Sequence, residues 1–350
     1  MKYHLALGRA IDLEGINREA QAGKCPRHIM RAVSQKLGAT IHTPEGYAAS
    51  FTDKIRSKIA STPEHWALAR VLSAQLNSND LIFCTGEDIG IPIATLCGAK
   101  RDRPKIAVFF HNINRPRGRL ALKLFGLSDR IDLFITCASP QADFLRHSLN
   151  LPESRVWVLL DQTDTKFFTP GPTSPDKQRP TIASVGLEKR DYRLLAEATS
   201  DLDVDVKISG FSKDAIALAR AFPETLPANM SRQFYPWPEL LQLYRDADLV
   251  AIALTDNLYA AGIQVFLEAM ACQRPVVITR TQGLVDYLAP PGIATIVNPG
   301  DATGLREAIV QLLNNPQEAQ AQAQRGYEQV VQHHNSEEYV EQLVARLASL

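Results

Sequence analysis

Residues 259–279 read Tyr259-Ala-Ala-Gly-Ile-Gln-Val-Phe-Leu-Glu268-Ala-Met-Ala-Cys-Gln-Arg-Pro-Val-Val-Ile-Thr279, and the rest of the chain is read outward from them. The apolar run Ile263 to Cys272 suits a buried helix and carries one acidic residue, Glu268. Gln273, Arg274 and Pro275 form a turn that opens a short strand, Val276 to Thr279. A carboxylate among apolar neighbours is costly to bury alone, so Glu268 invites a ligand with donors, such as sugar or ribose hydroxyls. A helix that turns Glu268 to water fits the same pattern, and periodicity alone leaves both readings open. Gly262 stands just before the helix. There a glycine lets backbone approach a ligand closely and frees helix N–H groups for a diphosphate, or it simply starts a helix.

Around this stretch, short apolar runs alternate with amphipathic ones, the pattern of a parallel sheet covered by helices. In the first half the expected strands are His4–Leu7, Thr40–His42, Leu81–Cys84, Ile106–Phe110, Leu133–Cys137 and Val156–Leu159. Expected helices lie over Pro26–Leu37, Pro63–Gln75, Gly90–Cys97, Arg119–Phe125 and Pro140–Leu149, with Pro26 in a first turn and Ser139 as a cap. Residues 170–180, rich in proline, glycine and polar side chains, break the pattern and read as linker. A second set follows: Thr181–Val185, Tyr192–Thr199, Val204–Ser209, Lys213–Phe222, Met230–Phe234, Trp237–Arg245, Leu249–Ala253, Ile263–Cys272, Pro275–Thr279, Thr295–Val297 and Ala302–Asn314, then a helical tail from Pro316. Two α/β halves joined by a linker imply a cleft, the usual place for ligands in such architectures.

The 350 residues suffice for two domains, and 45% apolar with 22% charged content is ordinary for a globular protein. Lysine plus arginine equals aspartate plus glutamate at 38 each, which gives no case for nucleic acid as a partner. No apolar run is long enough to span a bilayer, and the first residues have too short an apolar core for a secretory signal. Five scattered cysteines read as reduced, mostly buried thiols, so the expected location is cytoplasmic.

The segment Ala269-Met-Ala-Cys272, with Pro275-Val-Val277 and Glu268 before it, resembles the nucleotide-binding signature of glycosyltransferase family 4, retaining enzymes of the GT-B fold. Other matches fall in order along the chain. They are Leu159 to Pro170 (an interdomain segment), Val185-Gly186 with Arg190 (a phosphate loop), Tyr244-Arg-Asp-Ala-Asp248, and Asn298-Pro-Gly-Asp301. The chain departs from the pattern at Ala260, where the signature's first glutamate stands, and at Leu187, where relatives carry arginine.

The resemblance implies a GT-B α/β fold, two Rossmann-like parallel-sheet domains facing a cleft. Residues 1–165 would be an acceptor-binding domain, 166–180 a linker, 181–332 the nucleotide-sugar domain, and 333–350 a helix crossing back to the first. It implies sugar transfer from a nucleoside diphosphate sugar to a hydroxyl acceptor with retention, without metal or other cofactor. By resemblance, Arg190 and Lys189 hold the leaving diphosphate together with Gly186, Gly262 and the N–H groups of Ile263 and Gln264. Glu268 binds the ribose hydroxyls, and Tyr235 faces the base or packs in the core. Asp256 or Asn257, on the same loop as Ala260, stands in for the missing glutamate, or else the sugar pocket differs or activity is lost. His111, at a strand end, bonds a sugar hydroxyl or is a surface loop histidine. Arg115, Arg117 and Arg119 precede an apolar helix, so 115–127 is either a membrane-touching segment or a solvated face. Asp201-x-Asp203-x-Asp205 precedes a strand and reads as an exposed edge rather than a metal motif. A non-catalytic GT-B nucleotide- or glycan-binding protein, a nucleotide-sugar epimerase and a glycan phosphorylase are the alternatives.

Overall fold

The computed structural model describes residues 1–210 and 221–350, and the helix expected over Lys213–Phe222 lies essentially outside them. By compactness the chain divides into two units. The first comprises Met1–Gly15, His28–Leu160 and Tyr339–Leu350, and the second Ile16–Arg27 and Asp161–Glu338.

The first unit is built on a six-stranded, wholly parallel sheet: β1 (Lys2–Ala6), β2 (Thr40–His42), β3 (Asp80–Cys84), β4 (Lys105–Phe110), β5 (Leu133–Thr136) and β6 (Val156–Val158), in the order β2-β1-β3-β4-β5-β6. Its core gathers Ile82, Val108, Phe110 and Phe134 with Leu68 and Leu72. Each fully buried side chain of this kind contributes about 1.5–3 kcal/mol. Gly90 sits inside the helix Glu87–Cys97 because a Cβ there would lie 2.3 Å from Val108 Cγ1.

The second unit carries β7 (Thr181–Val185), β8 (Asp205–Ser209), β9 (Met230–Arg232), β10 (Leu249–Ile252), β11 (Val276–Thr279) and β12 (Thr295–Val297). These strands are also parallel, in the order β12-β11-β10-β7-β8-β9. That is the doubly wound order of a dinucleotide-binding sheet, with its switch point between β7 and β10, where such folds bind ligands beyond the strand carboxyl ends.

Several local expectations are corrected. The helix expected from Pro26 begins at Ile29, where His28 Nδ1 accepts from the Met30 N–H at 3.3 Å. Pro26 stays outside it, and the next residue, Arg27, is held by Asp164, which takes both its N–H and its guanidinium. Ser139 is not a cap: the helix Ser139–Leu149 starts on it, and its N-cap, Ala138, offers no side-chain acceptor. The helix expected from Gly90 begins at Glu87, capped at Gly86, and the one expected from Arg119 spans Pro116–Leu124. Unforeseen short helices cover Leu13–Gln21 and Phe51–Arg56, the latter started by a reciprocal Ser50–Asp53 capping box.

Residues 244–248 anchor the linker. Arg245 donates to Thr169, Asp246 accepts from the N–H and hydroxyl of Ser174, and Asp248 accepts from the Thr181 N–H. Asp203 and Asp205 pair with Arg179 and Asp201 with Arg306, ion pairs that the reading of an exposed edge did not include. Asp301 caps the helix Ala302–Asn314. The five cysteines are buried and form no disulfide. Among the described residues no group of acidic, histidine and cysteine side chains could hold a metal ion, and no helix is long and apolar enough to cross a membrane.

Candidate nucleotide site

At the carboxyl end of β7 the chain turns at Gly186 (φ 92°) and Lys189 (φ 58°), then brings Arg190 back beneath the turn. Arg190 is 5% exposed; its Nε donates to the Val185 carbonyl at 2.8 Å and Nη1 to the Glu188 carbonyl at 3.0 Å. A Cβ added at Gly186 would lie 2.5 Å from Arg190 Nη2, and one added at Gly262 would lie 3.5 Å from Nη1. The guanidinium therefore fills the space between the two glycine turns that leave β7 and β10. Burial lowers its pKa, while Glu268 is among the groups that oppose the shift. A guanidinium keeps its charge in such surroundings.

Glu268 lies in the helix Ile263–Ala271 and is buried, 8% exposed. Its Oε2 accepts from the Tyr244 hydroxyl at 2.7 Å. Among the described residues, Oε1 accepts no hydrogen bond. Desolvation raises this carboxyl to about 7, against the Tyr244 bond and the Arg190 charge, which pull it down. Gly262 (φ 89°) caps the helix. A side chain there would press on Ile252 Cγ2 at 3.1 Å, and the positive φ of the turn favours glycine. Ile263 N–H is used by the Ala260 carbonyl at 3.3 Å. Among the described residues, the N–H groups of Gln264 and Val265 have no protein acceptor and are open to an anion.

The loops after β7 and β10 are bonded to each other. Thr255 N–H donates to the Lys189 carbonyl and Asp191 N–H to the Ala253 carbonyl, each at 2.9 Å, around an antiparallel bridge between Arg190 and Leu254. Tyr259 Oη donates to Glu188 Oε1 at 2.6 Å. Behind them Gly283 touches Tyr259: a Cβ there would fall 1.9 Å from the Tyr259 carbonyl oxygen.

The structure thus groups Gly186, Arg190, Gly262, Ile263, Gln264 and Glu268 at the β7/β10 switch point. Lys189 belongs to the same loop, with its side chain exposed and, among the described residues, in no ion pair. Asn257 is buried and its amide is used inside its own loop, Nδ2 to the Thr255 carbonyl and Oδ1 from the Tyr259 N–H. Asp256 is exposed on that loop, and Ala260 is buried. Tyr235 follows β9, half-buried. In the first unit His111 follows β4, its Nε2 3.1 Å from the Thr85 carbonyl and its N–H held by Glu87. The exposed Asp88 carboxylate sits between two glycines there: a Cβ on Gly8 would lie 2.9 Å, and one on Gly86 2.7 Å, from its oxygens.

Sequence reasoning did not assign the Tyr244–Glu268 bond. The Tyr244-to-Asp248 motif was its signal, but nothing in the spacing says which partner the tyrosine meets.

Residues 181–315 match the family described as glycosyl transferases group 1. The matched residues run from β7 to the helix Ala302–Asn314 and so include the strands that build the site. Among solved structures the chain is similar to α,α-trehalose 6-phosphate synthase from Burkholderia multivorans (14% identity, TM-score 0.73, 100% of this chain and 99% of that one covered). It is similar to sucrose-phosphate synthase from Thermosynechococcus elongatus (16%, 0.72, 98% and 97%). It is also similar to Anabaena HepE in complex with UDP-glucose (15%, 0.70, 100% and 100%). The fold is GT-B. No curated protein matches by sequence.

Proposed function

We propose that the protein is a glycosyltransferase that moves a sugar, a hexose by analogy with its relatives, from a nucleoside diphosphate sugar to a hydroxyl acceptor with retention of configuration, in the manner of family 4. The observation that carries this reading is the buried Glu268, with one carboxylate oxygen free of protein donors among the described residues, next to a buried arginine between two glycine turns. In the ionised form Glu268 accepts from ribose hydroxyls. The open N–H groups at Gln264 and Val265 take the diphosphate, with Lys189 as the exposed cation of the loop and Arg190 setting the local positive potential. Charge that develops on the leaving diphosphate is stabilised by these preset donors, so catalysis is chiefly electrostatic. His111 would bond a sugar hydroxyl and Asp88 an acceptor hydroxyl, while Tyr235 would face the base. Because HepE binds UDP-glucose, uridine is the first base to try.

One observation favours a second reading, a nucleotide-binding protein without turnover: Ala260 supplies only a buried methyl where a donor-sugar carboxylate is expected. The helix Pro116–Leu124 leaves Leu120 and Leu124 more than half exposed beside Arg117 and Lys123, which suits peripheral contact with an anionic membrane from the cytoplasmic side.

The test is a thermal-shift screen against UDP, GDP and ADP, followed by turnover on the matching sugar nucleotides, since a ligand of the native state raises its melting temperature. The expected result is a shift with at least one nucleotide that shrinks in Glu268→Ala and in Arg190→Ala. No shift in the wild type, or equal shifts in both variants, refutes the site; a shift without turnover selects the second reading.

A further inference from the structure

We propose that Tyr244 is a positioning residue for nucleotide binding: its hydroxyl holds Oε2 of Glu268 so that Oε1 alone meets the ribose, and Phe168 fixes the tyrosine ring in turn. This inference rests on the nucleotide reading above and adds to it a residue that does not touch the ligand.

Three facts carry it. Tyr244 is fully buried, and its 2.7 Å bond to Glu268 is the carboxylate's one protein hydrogen bond among the described residues. The Phe168 ring, 2% exposed, packs edge-on against Tyr244 with centroids 5.9 Å apart, and Trp237 on the same helix packs edge-on against Phe168 at 6.3 Å. A tyrosine hydroxyl is a donor that a carboxylate attracts strongly, so the bond fixes the side-chain rotamer and favours the ionised form.

The groups facing Glu268 are Tyr244 from the helix Trp237–Asp246, Arg190 from the loop after β7, and Cys272 at the end of its own helix. Burial pushes the Tyr244 hydroxyl and the Cys272 thiol upward, so both stay protonated between pH 6 and about 9, and Arg190 stays charged. Glu268 is then the member of this cluster that titrates in that range. Removing the Tyr244 hydroxyl withdraws a donor from the charged form and moves its midpoint up.

The experiment follows Glu268 directly, by 13C NMR titration of carboxyl-labelled glutamate in wild type and Tyr244→Phe, with Glu268→Gln to assign the signal. UDP affinity is measured by calorimetry at pH 6.5 and pH 9, with GDP or ADP instead if the screen selects one of them. The expected midpoint is about one pH unit higher in Tyr244→Phe, the scale of one charge-assisted hydrogen bond. From a wild-type value of about 7, affinity should fall about eightfold at pH 6.5 and less than about twofold at pH 9. Phe168→Leu, which keeps the hydroxyl but loosens the ring, should move both in the same direction by less, and it serves if Tyr244→Phe does not fold. An unchanged midpoint, or an affinity loss equal at both pH values, overturns the proposal and leaves Tyr244 as core packing. Unchanged affinity in Glu268→Gln instead overturns the ribose reading, and the NMR midpoint still decides whether Tyr244 governs the carboxylate.

Discussion

Glu268→Gln is expected to move stability and nucleotide affinity in opposite directions. In the folded protein the carboxyl is raised from the ordinary 4.5 to about 7 by burial. A group raised in this way contributes stability that is fully present below 4.5 and is lost as pH rises through about 7, because the folded chain then gives up a proton it held more tightly than the unfolded chain. At about 1.4 kcal/mol per pH unit, the ionised carboxylate costs the apo protein about 3 kcal/mol above pH 8. Glutamine has the same shape, carries no charge, and keeps a carbonyl oxygen for the Tyr244 hydroxyl. The variant should therefore be more stable than wild type by about 2–3 kcal/mol at pH 8 and nearly equal to it at pH 4.5. For a unit of this size that is a rise in melting temperature of roughly 5 °C. Paired melts at the two pH values, with and without UDP, read both effects. The nucleotide-induced shift should shrink while the apo melting temperature climbs. A glutamine variant that is less stable than wild type at pH 8, or a gap that does not change with pH, refutes the reasoning that Glu268 is held ionised at a cost to the fold.

Two glycines provide further checks. Gly262→Ala places a side chain at φ 89° and 3.1 Å from Ile252 Cγ2, so a loss of about 1–2 kcal/mol in urea unfolding is expected, together with weaker nucleotide binding. Wild-type affinity in a folded variant would separate the turn from the ligand. Gly283→Ala puts a methyl on top of the Tyr259 carbonyl, so a loss above about 3 kcal/mol and a displaced loop are expected. A wild-type urea midpoint would show that this contact is not as described.

The second half was the more legible because its elements are short, apolar and cleanly punctuated. Thr181–Val185, Tyr192–Thr199, Thr295–Val297 and Ala302–Asn314 carry the expected bounds without change. Misreadings cluster where tertiary partners decide. Pro26 has the chemistry of a helix start, but Asp164, far along the chain, holds the neighbouring Arg27, and the helix waits for His28. Ser50-x-x-Asp53 was a readable capping box that apolar periodicity alone passes over, since Phe51 and Ile55 are exposed. In the site, Glu268 and Gly262 could be nominated from their chemistry, and Arg190 chiefly through the family resemblance. The bond to Tyr244 could not, because it depends on how two helices fold together rather than on spacing, whereas the Asn257 amide is used within two residues of itself, a local turn habit of asparagine that the reading passed over.

The rungs that join Lys189 to Thr255 and Asp191 to Ala253, with Tyr259 reaching Glu188, have a practical corollary for anyone who redesigns this protein. Neither loop can be lengthened, shortened or grafted from another protein by itself, because each supplies the other's backbone partners. Under the proposed function, exchange of donor preference should succeed only when the pair is transplanted together, as a single cassette.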